Sequence, residues 1–181
     1  MNITEDIDSV SFTCINFNCK GVSQSLDHIS SLLQKCDILC LSETWLRPDE
    51  LFMLDSLINS NNIYTIFSKS GMCNIEGDYR GRPFGGLSII CKRHQNLTFH
   101  QIETNCDRLK AVRVCDKEGT CIHNIFNVYM PYYDGTQSRT EEFVTVVDHL
   151  QSLLSSVCNV APVKLLGDFN VQLPRGSNIP N

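Results

Sequence analysis

The chain has 181 residues, of which 42% are hydrophobic and 19% are charged, and its formal net charge is −5. These values indicate one folded domain with a substantial core and argue against a disordered chain. The negative charge disfavours a module that coats nucleic acid through a generally basic surface, but it does not exclude an enzyme that grips a phosphodiester at a local site.

No apolar run is long enough to cross a bilayer, and the polar, acidic N-terminus does not resemble a signal peptide. We therefore expect a nuclear or cytoplasmic protein with no membrane partner, whose ten cysteines are reduced. Cys14, Cys36, Cys40, Cys91 and Cys158 stand among apolar neighbours and are predicted to be core residues. The cysteines form no C-x-x-C pair, so a zinc site has little support.

Strand patterns and helix patterns alternate along the chain after a flexible stretch predicted for residues 1–10. Several of the strand patterns are continuous apolar runs, as expected for strands that are covered on both faces. Residues 68–84 are rich in Gly, Asn and Arg and predict a long loop. The strands are predicted over residues 11–17, 38–41, 63–67, 87–91, 97–102, 109–115, 120–129 and 163–167.

Helices are predicted where apolar residues recur at helical spacing. The first extends from about residue 25 to residue 35, and a shorter one opens at Pro48-Asp49. The third begins near Ser138, where Ser138 and Glu141 fit a capping box. Strand–helix units combined with hairpins predict sheets with helices packed outside them. The apolar stripe of the third helix consists of Phe143, Val146, Val147, Leu150, Leu153, Leu154 and Val157.

Polar side chains follow several predicted strands at the point where each strand ends. Adjacent strands that end at one edge of a sheet bring such groups together, and ligands commonly bind at that edge. Carboxylate and amide oxygens suit Mg²⁺, and a cation held beside hydrogen-bond donors is suited to phosphoryl transfer. The residues at these strand ends are Asn18, Glu43, Tyr129, Asp168 and Asn170.

Each of these residues also has a purely structural interpretation. Glu43 fits a helix cap or a surface acid, and Asp168 fits plain turn chemistry because Asp, Asn and Gly favour turns. Tyr129 fits a core aromatic residue, and Asn18 fits an ordinary strand-to-helix turn. Taken one at a time, the structural interpretations are favoured.

The order of five short segments carries more information than any single residue. They are Asn18-Cys19-Lys20-Gly21, Leu41-Ser42-Glu43-Thr44, Gly85-Gly86-Leu87-Ser88-Ile89, Asn127-Val128-Tyr129-Met130-Pro131 and Leu166-Gly167-Asp168-Phe169-Asn170. Together they resemble the endonuclease/exonuclease/phosphatase family from about residue 11 to residue 173. The resemblance implies a four-layered α/β sandwich, in which helices flank two packed mixed sheets, and it makes residues 11–181 the N-terminal part of one such domain.

The resemblance also implies hydrolysis of a phosphodiester by an in-line water, with Mg²⁺ as cofactor and Mn²⁺ as an alternative ion. Glu43, Asp168 and Asn18 would form the metal site, with Asn18 orienting Asp168 and the metal shell. Asp168 would orient or deprotonate the water or assist the leaving oxygen. Asn170 would hydrogen-bond the phosphate, and Tyr129 would stabilise its developing charge. Lys20 stands where some family members carry an acidic residue, so the resemblance does not extend to a second metal site there.

Two further segments narrow the resemblance. Leu41-Ser42-Glu43-Thr44-Trp45-Leu46 and Gly81-Arg82-Pro83-Phe84-Gly85-Gly86 are similar to segments of the apurinic-type endonucleases of non-long-terminal-repeat retrotransposons. This likeness implies a DNA-nicking endonuclease whose partners are DNA and, in a full-length element, a downstream reverse transcriptase. The loop at residues 80–84 is then expected to lie along the nucleic-acid backbone, although a solvated charged loop explains it equally well.

The family's later motifs, an Asp/Trp segment and a final Ser-Asp-His, have no counterpart after Asn170. From this we expect a fold that is incomplete at the C-terminus and an impaired enzyme, because acid–base assistance typically supplies about a hundred- to ten-thousand-fold in rate. Two alternatives stay open. One is a catalytically inactive remnant that acts at most as a binding module, and the other is a phosphatase of the same fold.

Overall fold

A computed structural model describes residues 12–58, 61–72, 81–132 and 136–170. The stretch predicted to be flexible, residues 1–10, lies outside these ranges, and so do residues 73–80 of the loop predicted over residues 68–84. The predicted loop begins too early, because Ser68 and Lys69 belong to the third strand. The described strands are β1 (Cys14–Asn18), β2 (Ile38–Ser42), β3 (Tyr64–Lys69), β4 (Leu87–Lys92), β5 (Leu97–Ile102), β6 (Leu109–Asp116), β7 (Cys121–Tyr129) and β8 (Val163–Asp168).

Three α-helices are described, and none of them is long and apolar enough to span a membrane. A 3₁₀ turn at Pro48–Glu50 leads into the second helix, where the sequence predicts a helix that opens at Pro48-Asp49. The helices are α1 (Val22–Leu33), α2 (Leu51–Ile58) and α3 (Gln137–Val157).

The strands form two four-stranded sheets. Sheet A has the order β1-β2-β4-β3, and sheet B has the order β5-β6-β7-β8. Each sheet contains one parallel pair, β1 with β2 and β7 with β8, and its other neighbours are antiparallel. Both sheets are therefore mixed, as predicted.

Alternate side chains of the central strands pack into different layers. In β2, Leu39 and Leu41 pack with residues of α1 and α2, whereas Ile38 and Cys40 pack with residues of sheet B. Every residue of β2 is buried for this reason. A strand covered on both faces needs apolar side chains at successive positions, which explains the continuous apolar run in the sequence.

Helix α3 covers the outer face of sheet B. Val146 packs with Leu109 and Val128, and Val157 packs with Phe126. The layers therefore follow the order α1 and α2, sheet A, sheet B, α3. This arrangement confirms the predicted four-layered α/β sandwich.

The start of α3 differs from the prediction. The helix begins at Gln137, and Thr136 is its N-cap residue, whose hydroxyl oxygen accepts a hydrogen bond from the Arg139 amide at 3.4 Å. The predicted capping box of Ser138 and Glu141 is wrong, because Ser138 already lies inside the first turn and cannot cap it.

Two residues predicted for the core face the solvent instead. Val147 of α3 is 37% exposed, and Cys158, the C-cap of α3, is exposed. Cys36, Cys40 and Cys91 are buried, as predicted. Apolar neighbours in the sequence indicate that a helix packs on a sheet, but the rotation of the helix about its axis decides which of its side chains face that sheet.

Candidate active site

The predicted site residues stand at strand ends of both sheets. Asn18 is the last residue of β1, and Glu43 directly follows β2. Tyr129 and Asp168 end β7 and β8 and are register partners in that parallel pair, and Asn170 lies two residues further on. The carboxyl ends of both parallel pairs therefore supply the polar groups at one edge of the sandwich.

Asn18 connects the two sheets at this edge. Its Nδ2 donates one hydrogen bond to Glu43 Oε1 at 2.7 Å and another to Asp168 Oδ2 at 2.8 Å. The two carboxylate oxygens thus lie within hydrogen-bonding reach of a single nitrogen, although Asn18 and Asp168 are 150 positions apart in the sequence. The structure brings these three residues together.

Tyr129 joins the same group of side chains. It lines the same cavity as Glu43. Burial raises the pKa of Tyr129, and the negative charges of Glu43 and Asp168 raise it further. The phenol therefore stays protonated at neutral pH and can act as a donor.

Asn170 is fixed by hydrogen bonds to its neighbours. Its backbone amide donates to Asp168 Oδ1 at 3.1 Å, and its Nδ2 donates to the Met130 carbonyl oxygen at 2.7 Å. The two oxygens of the Asp168 carboxylate therefore have different donors. The Asn170 amide binds Oδ1, and the Asn18 side chain binds Oδ2. The second N–H of the Asn170 amide is available for a ligand.

The segment that carries Glu43 is held by backbone hydrogen bonds on both sides. On one side, the Gly21 amide donates to the Glu43 carbonyl oxygen at 2.8 Å. On the other side, the Trp45 amide donates to the Gly85 carbonyl oxygen at 3.0 Å. These bonds extend sheet A beyond its strands and give Glu43 a defined position.

Backbone strain is concentrated at this edge. Lys20, Glu43, Trp45 and Asn170 have φ angles of 45°, 54°, 53° and 48°, in the left-handed region that non-glycine residues avoid. Within the described ranges, the fifth non-glycine residue with a positive φ is Asn62. Each such residue costs on the order of 1–3 kcal/mol, so the surrounding hydrogen bonds must hold it in place.

Glu43 and Asp168 are the residues that could hold a divalent cation, because hard cations are usually bound by one or two carboxylates while water or substrate fills their other positions. Their two nearest oxygens, Glu43 Oε1 and Asp168 Oδ2, both accept hydrogen bonds from Asn18 Nδ2. No cluster of three or more His, Cys, Asp or Glu side chains suited to a metal occurs in the part of the chain that the structure describes. Asn18 turns its amide nitrogen toward the carboxylates, and its Oδ1 accepts the Lys20 amide at 3.3 Å.

Sequence patterns do not point to Arg108 and Glu142, which border the site. The Arg108 guanidinium lies over the Tyr129 ring, 5.0 Å from its centroid, and forms an ion pair with Glu142 at 2.6 Å. Partial burial opposes ionisation of Glu142, but Arg108 and Arg139 outweigh it and lower the pKa of Glu142. This pairing depends on how α3 packs beside β7, and no local sequence signal encodes it.

The model of the Endonuclease/Exonuclease/phosphatase family matches residues 15–179, a range that contains all five predicted site residues. The chain belongs to this family. No curated protein is significantly similar to it in sequence.

Solved structures share the fold at low sequence identity. The 3′ phosphatase NExo from Neisseria, solved with a product DNA hairpin, has a TM-score of 0.61 and 15% identity, with 89% of this chain and 58% of that chain covered. The AP endonuclease LMAP from Leishmania major has a TM-score of 0.63 and 17% identity, with 87% of this chain and 55% of that chain covered. An AP endonuclease from Archaeoglobus fulgidus has a TM-score of 0.57 and 19% identity, with 87% of this chain and 57% of that chain covered. This family member therefore spans a little over half the length of these structures.

Proposed function

We propose that this member of the endonuclease/exonuclease/phosphatase family hydrolyses phosphodiester bonds in DNA with Mg²⁺ as cofactor. The observation that carries the proposal is the pair of hydrogen bonds from Asn18 to Glu43 and Asp168, which holds two carboxylates from different sheets at one point beside Tyr129. Two carboxylates next to protonated donors match a reaction in which a phosphate gains negative charge.

Each side chain is assigned a role that its contacts support. Glu43 and Asp168 would hold the metal through carboxylate oxygens, and Asn18, which donates a hydrogen bond to each of them, would orient both. Bound Mg²⁺ supplies Lewis-acid stabilisation of the phosphate. Asp168 is assigned the attacking water, which it would orient or deprotonate, or alternatively the leaving oxygen, which it would assist. Tyr129 donates its phenolic hydrogen, and Asn170 its second amide hydrogen, to the phosphate oxygens.

The resemblance of residues 41–46 and 81–86 to retrotransposon endonucleases supports DNA as the substrate and nicking as the reaction. It also supports an origin in such an element, with a downstream reverse transcriptase as a partner and a nuclear or cytoplasmic site of action. The Neisseria structure with bound DNA is consistent with a nucleic-acid substrate for this fold.

A plasmid-nicking assay tests the proposal. The purified chain is incubated with supercoiled plasmid in Mg²⁺ and, in parallel, in EDTA. We expect nicked circles only with Mg²⁺, and we expect Glu43→Ala and Asp168→Ala to lower the rate by about a hundred-fold or more. Asp27→Ala is the matched control, because Asp27 is an exposed carboxylate on α1.

The outcomes separate the alternatives. Release of phosphate from a 3′-phosphorylated oligonucleotide without nicking favours a phosphatase of the same fold. Binding of the plasmid with no Mg²⁺-dependent hydrolysis of either substrate favours a catalytically inactive binding module. Nicking that Glu43→Ala and Asp168→Ala leave intact contradicts the assignment of the site.

A further inference from the structure

Two cysteines face each other across a hairpin of sheet B, at the end of β7 that is opposite to Tyr129. Cys115 lies near the end of β6 and Cys121 begins β7, and the two are register partners in this antiparallel pair. Both are free thiols. Among the nine described cysteines, no other two are register partners in a sheet.

The spacing of this pair suits a disulfide bond. Register partners in antiparallel strands have Cα atoms about 4.5 to 5.5 Å apart, with their side chains on the same face of the sheet. A disulfide bond spans Cα atoms about 4.4 to 6.8 Å apart. A register shift lies between Val114 and Cys115, so the ladder of backbone hydrogen bonds is interrupted beside the pair. The two strands can therefore adjust locally when the sulfurs join.

The turn between the two cysteines is closed by hydrogen bonds. The Asp116 amide donates to the Thr120 carbonyl oxygen at 3.0 Å, and the Gly119 amide donates to the Asp116 carbonyl oxygen at 3.1 Å. The Asp116 carboxylate accepts the Thr120 amide at 2.8 Å. These bonds keep Cys115 and Cys121 opposite each other in the reduced chain, so little conformational entropy remains to be lost when the sulfurs join.

The two thiols differ in their exposure. Cys121 is partly exposed, whereas Cys115 is 4% exposed and burial raises its pKa. The Cys121 sulfur donates to the His123 carbonyl oxygen and to Asn124 Oδ1, each at 3.7 Å. An S–H group is a weak donor, so these long contacts hold the Cys121 thiol loosely. Cys121 is therefore the thiol of the pair that a reagent in solution meets first.

We propose that Cys115 and Cys121 form a reversible disulfide bond by exchange with small-molecule disulfides such as oxidised glutathione. The Cys121 thiolate attacks one sulfur of oxidised glutathione, whose S–S bond breaks and releases one glutathione. The Cys115 thiolate then attacks the Cys121 sulfur of the mixed disulfide, and the second glutathione leaves. Each departing glutathione thiolate takes up the proton that a protein thiol has lost. Two protein thiols are thereby oxidised, and one glutathione disulfide is reduced to two thiols.

The other described cysteines are expected to respond differently. Burial raises the pKa of Cys19 and Cys36 to about 11, and it also raises the pKa of Cys40 and Cys91, so these thiols stay protonated and shielded. Cys158 is exposed at the end of α3, outside both sheets. We expect Cys158 to keep a glutathione adduct, because no neighbouring strand holds a second cysteine opposite it.

Peptide mapping by mass spectrometry tests the proposal. The reduced full chain is incubated in its folded form with a mixture of oxidised and reduced glutathione, its remaining thiols are blocked, and it is digested with trypsin. Cleavage after Lys117 places Cys115 and Cys121 on separate peptides, residues 114–117 and 118–139. We expect these two peptides to be joined, with a mass two hydrogens below their sum, and to separate when excess reductant is added.

Two substitutions separate the two steps of the exchange. We expect Cys115→Ser to leave a lasting glutathione adduct on Cys121, because the thiol that resolves the adduct is absent. We expect Cys121→Ser to leave Cys115 unmodified, because Cys115 is buried. Cys158→Ser is the control and should not change the yield of joined peptides. The oxidised chain should also have a higher Tm than the reduced chain, since a cross-link restricts the unfolded chain.

A lasting glutathione adduct on Cys121 of the unchanged chain, without joined peptides, overturns the inference. Modification of Cys158 while Cys115 and Cys121 both stay reduced also overturns it, and so does joining of the two peptides in urea alone. Circular dichroism checks the fold of each variant. Where a variant is unfolded, the peptide map of the unchanged chain decides.

Discussion

Asn18 is the residue on which the geometry of the site depends most. Its amide nitrogen is the shared donor for Glu43 and Asp168, at 2.7 and 2.8 Å. Without that donor, two like charges from different sheets would face each other, and their repulsion would favour their separation. The Lys20 amide holds the other end of the Asn18 side chain.

Replacement of Asn18 by alanine is expected to weaken Mg²⁺ binding and to slow DNA nicking by about 10- to 100-fold, the range found for residues that orient metal ligands. Isothermal titration with Mg²⁺ and the plasmid assay measure the two effects. Asn16→Ala is the control, because Asn16 is an exposed asparagine of the same strand. Equal effects of the two substitutions would contradict the orienting role.

The lowered pKa of Glu142 predicts that the stability of the fold depends on pH. This pKa lies below the ordinary value of 4.5, because two arginines outweigh the partial burial of Glu142. A carboxylate with a lowered pKa stabilises the fold above its ordinary pKa, and this contribution is lost as the pH falls through the lowered value. We expect Glu142→Gln to have a lower Tm than the unchanged chain at neutral pH and a smaller loss of Tm between about pH 5 and pH 3. Glu118→Gln, in an exposed turn, is the control.

Among the elements, the segment that follows β2 requires a glycine at position 86, because the Gly86 backbone lies close to Thr44 of that segment. The φ of Gly86 is 86°, and a side chain there would collide with the Thr44 hydroxyl. The neighbouring Gly85 accepts the Trp45 amide, so the turn between Gly85 and Gly86 supports the strained residues that present Glu43. Glycine is needed here both for its conformation and for its lack of a side chain.

The chain contains a matched pair of glycines that separates these two requirements. Gly119 also has a φ of 86°, but a Cβ added there would meet nothing within 4 Å. We expect Gly119→Ala to lower the free energy of unfolding by about 1–2 kcal/mol through conformation alone. Gly86→Ala is expected to cost a further 1–3 kcal/mol or so through overpacking. Urea denaturation measures both values, and equal losses would show that the contact with Thr44 is relieved at little cost.

The strands could be predicted well because apolar residues run continuously in some of them, as in β2, and alternate with polar residues in others, as at the start of β5. The observed β5 matches the predicted range, and β2 extends one residue beyond it. The helix starts were harder to predict. Helix α1 begins at Val22, three residues before the predicted start, and its N-cap residue Gly21 makes no side-chain hydrogen bond that a sequence pattern could reveal. A helix that opens without a capping side chain leaves no local signal.

In the molecule as a whole, the buried Asn127 side chain connects the two sheets by hydrogen bonds behind the site. From β7 in sheet B, its Nδ2 donates to the carbonyl oxygens of Leu41 at 2.8 Å and of Ser88 at 3.1 Å, both in sheet A. Leu41 lies two residues before Glu43, and Asn127 lies two residues before Tyr129. The spacing between the sheets at the site is therefore set by a buried polar contact in addition to apolar packing.

We expect Asn127→Ala to lower the free energy of unfolding by about 1–3 kcal/mol, the cost of leaving a buried polar partner unsatisfied. It should also weaken Mg²⁺ binding, because Glu43 and Asp168 come from the two sheets that Asn127 connects. Asn124→Ala is the control. Asn124 is equally buried in β7, but its Nδ2 makes one bond of 3.4 Å, to the Ala161 carbonyl oxygen. Loss of stability with unchanged Mg²⁺ affinity would limit Asn127 to a role in the core.

The positions of the five candidate site residues at strand ends could be predicted from the sequence, since apolar runs show where strands stop. The cavity beside them could not. Arg108, Glu142 and Arg139 meet only because α3 lies on sheet B next to β7, and Trp45 meets Arg82 only because two separate loops come together. Contacts between distant segments depend on the packing of layers, which local patterns do not contain.

The 150 positions between Asn18 and Asp168 have a consequence for the protein as it is made. Asn18 leaves the ribosome early, whereas its partner emerges only with β8, the last described strand. Until β8 docks beside β7, a nascent chain holds only one carboxylate of the pair. The edge therefore gains its full set of polar groups only after β8 has joined sheet B.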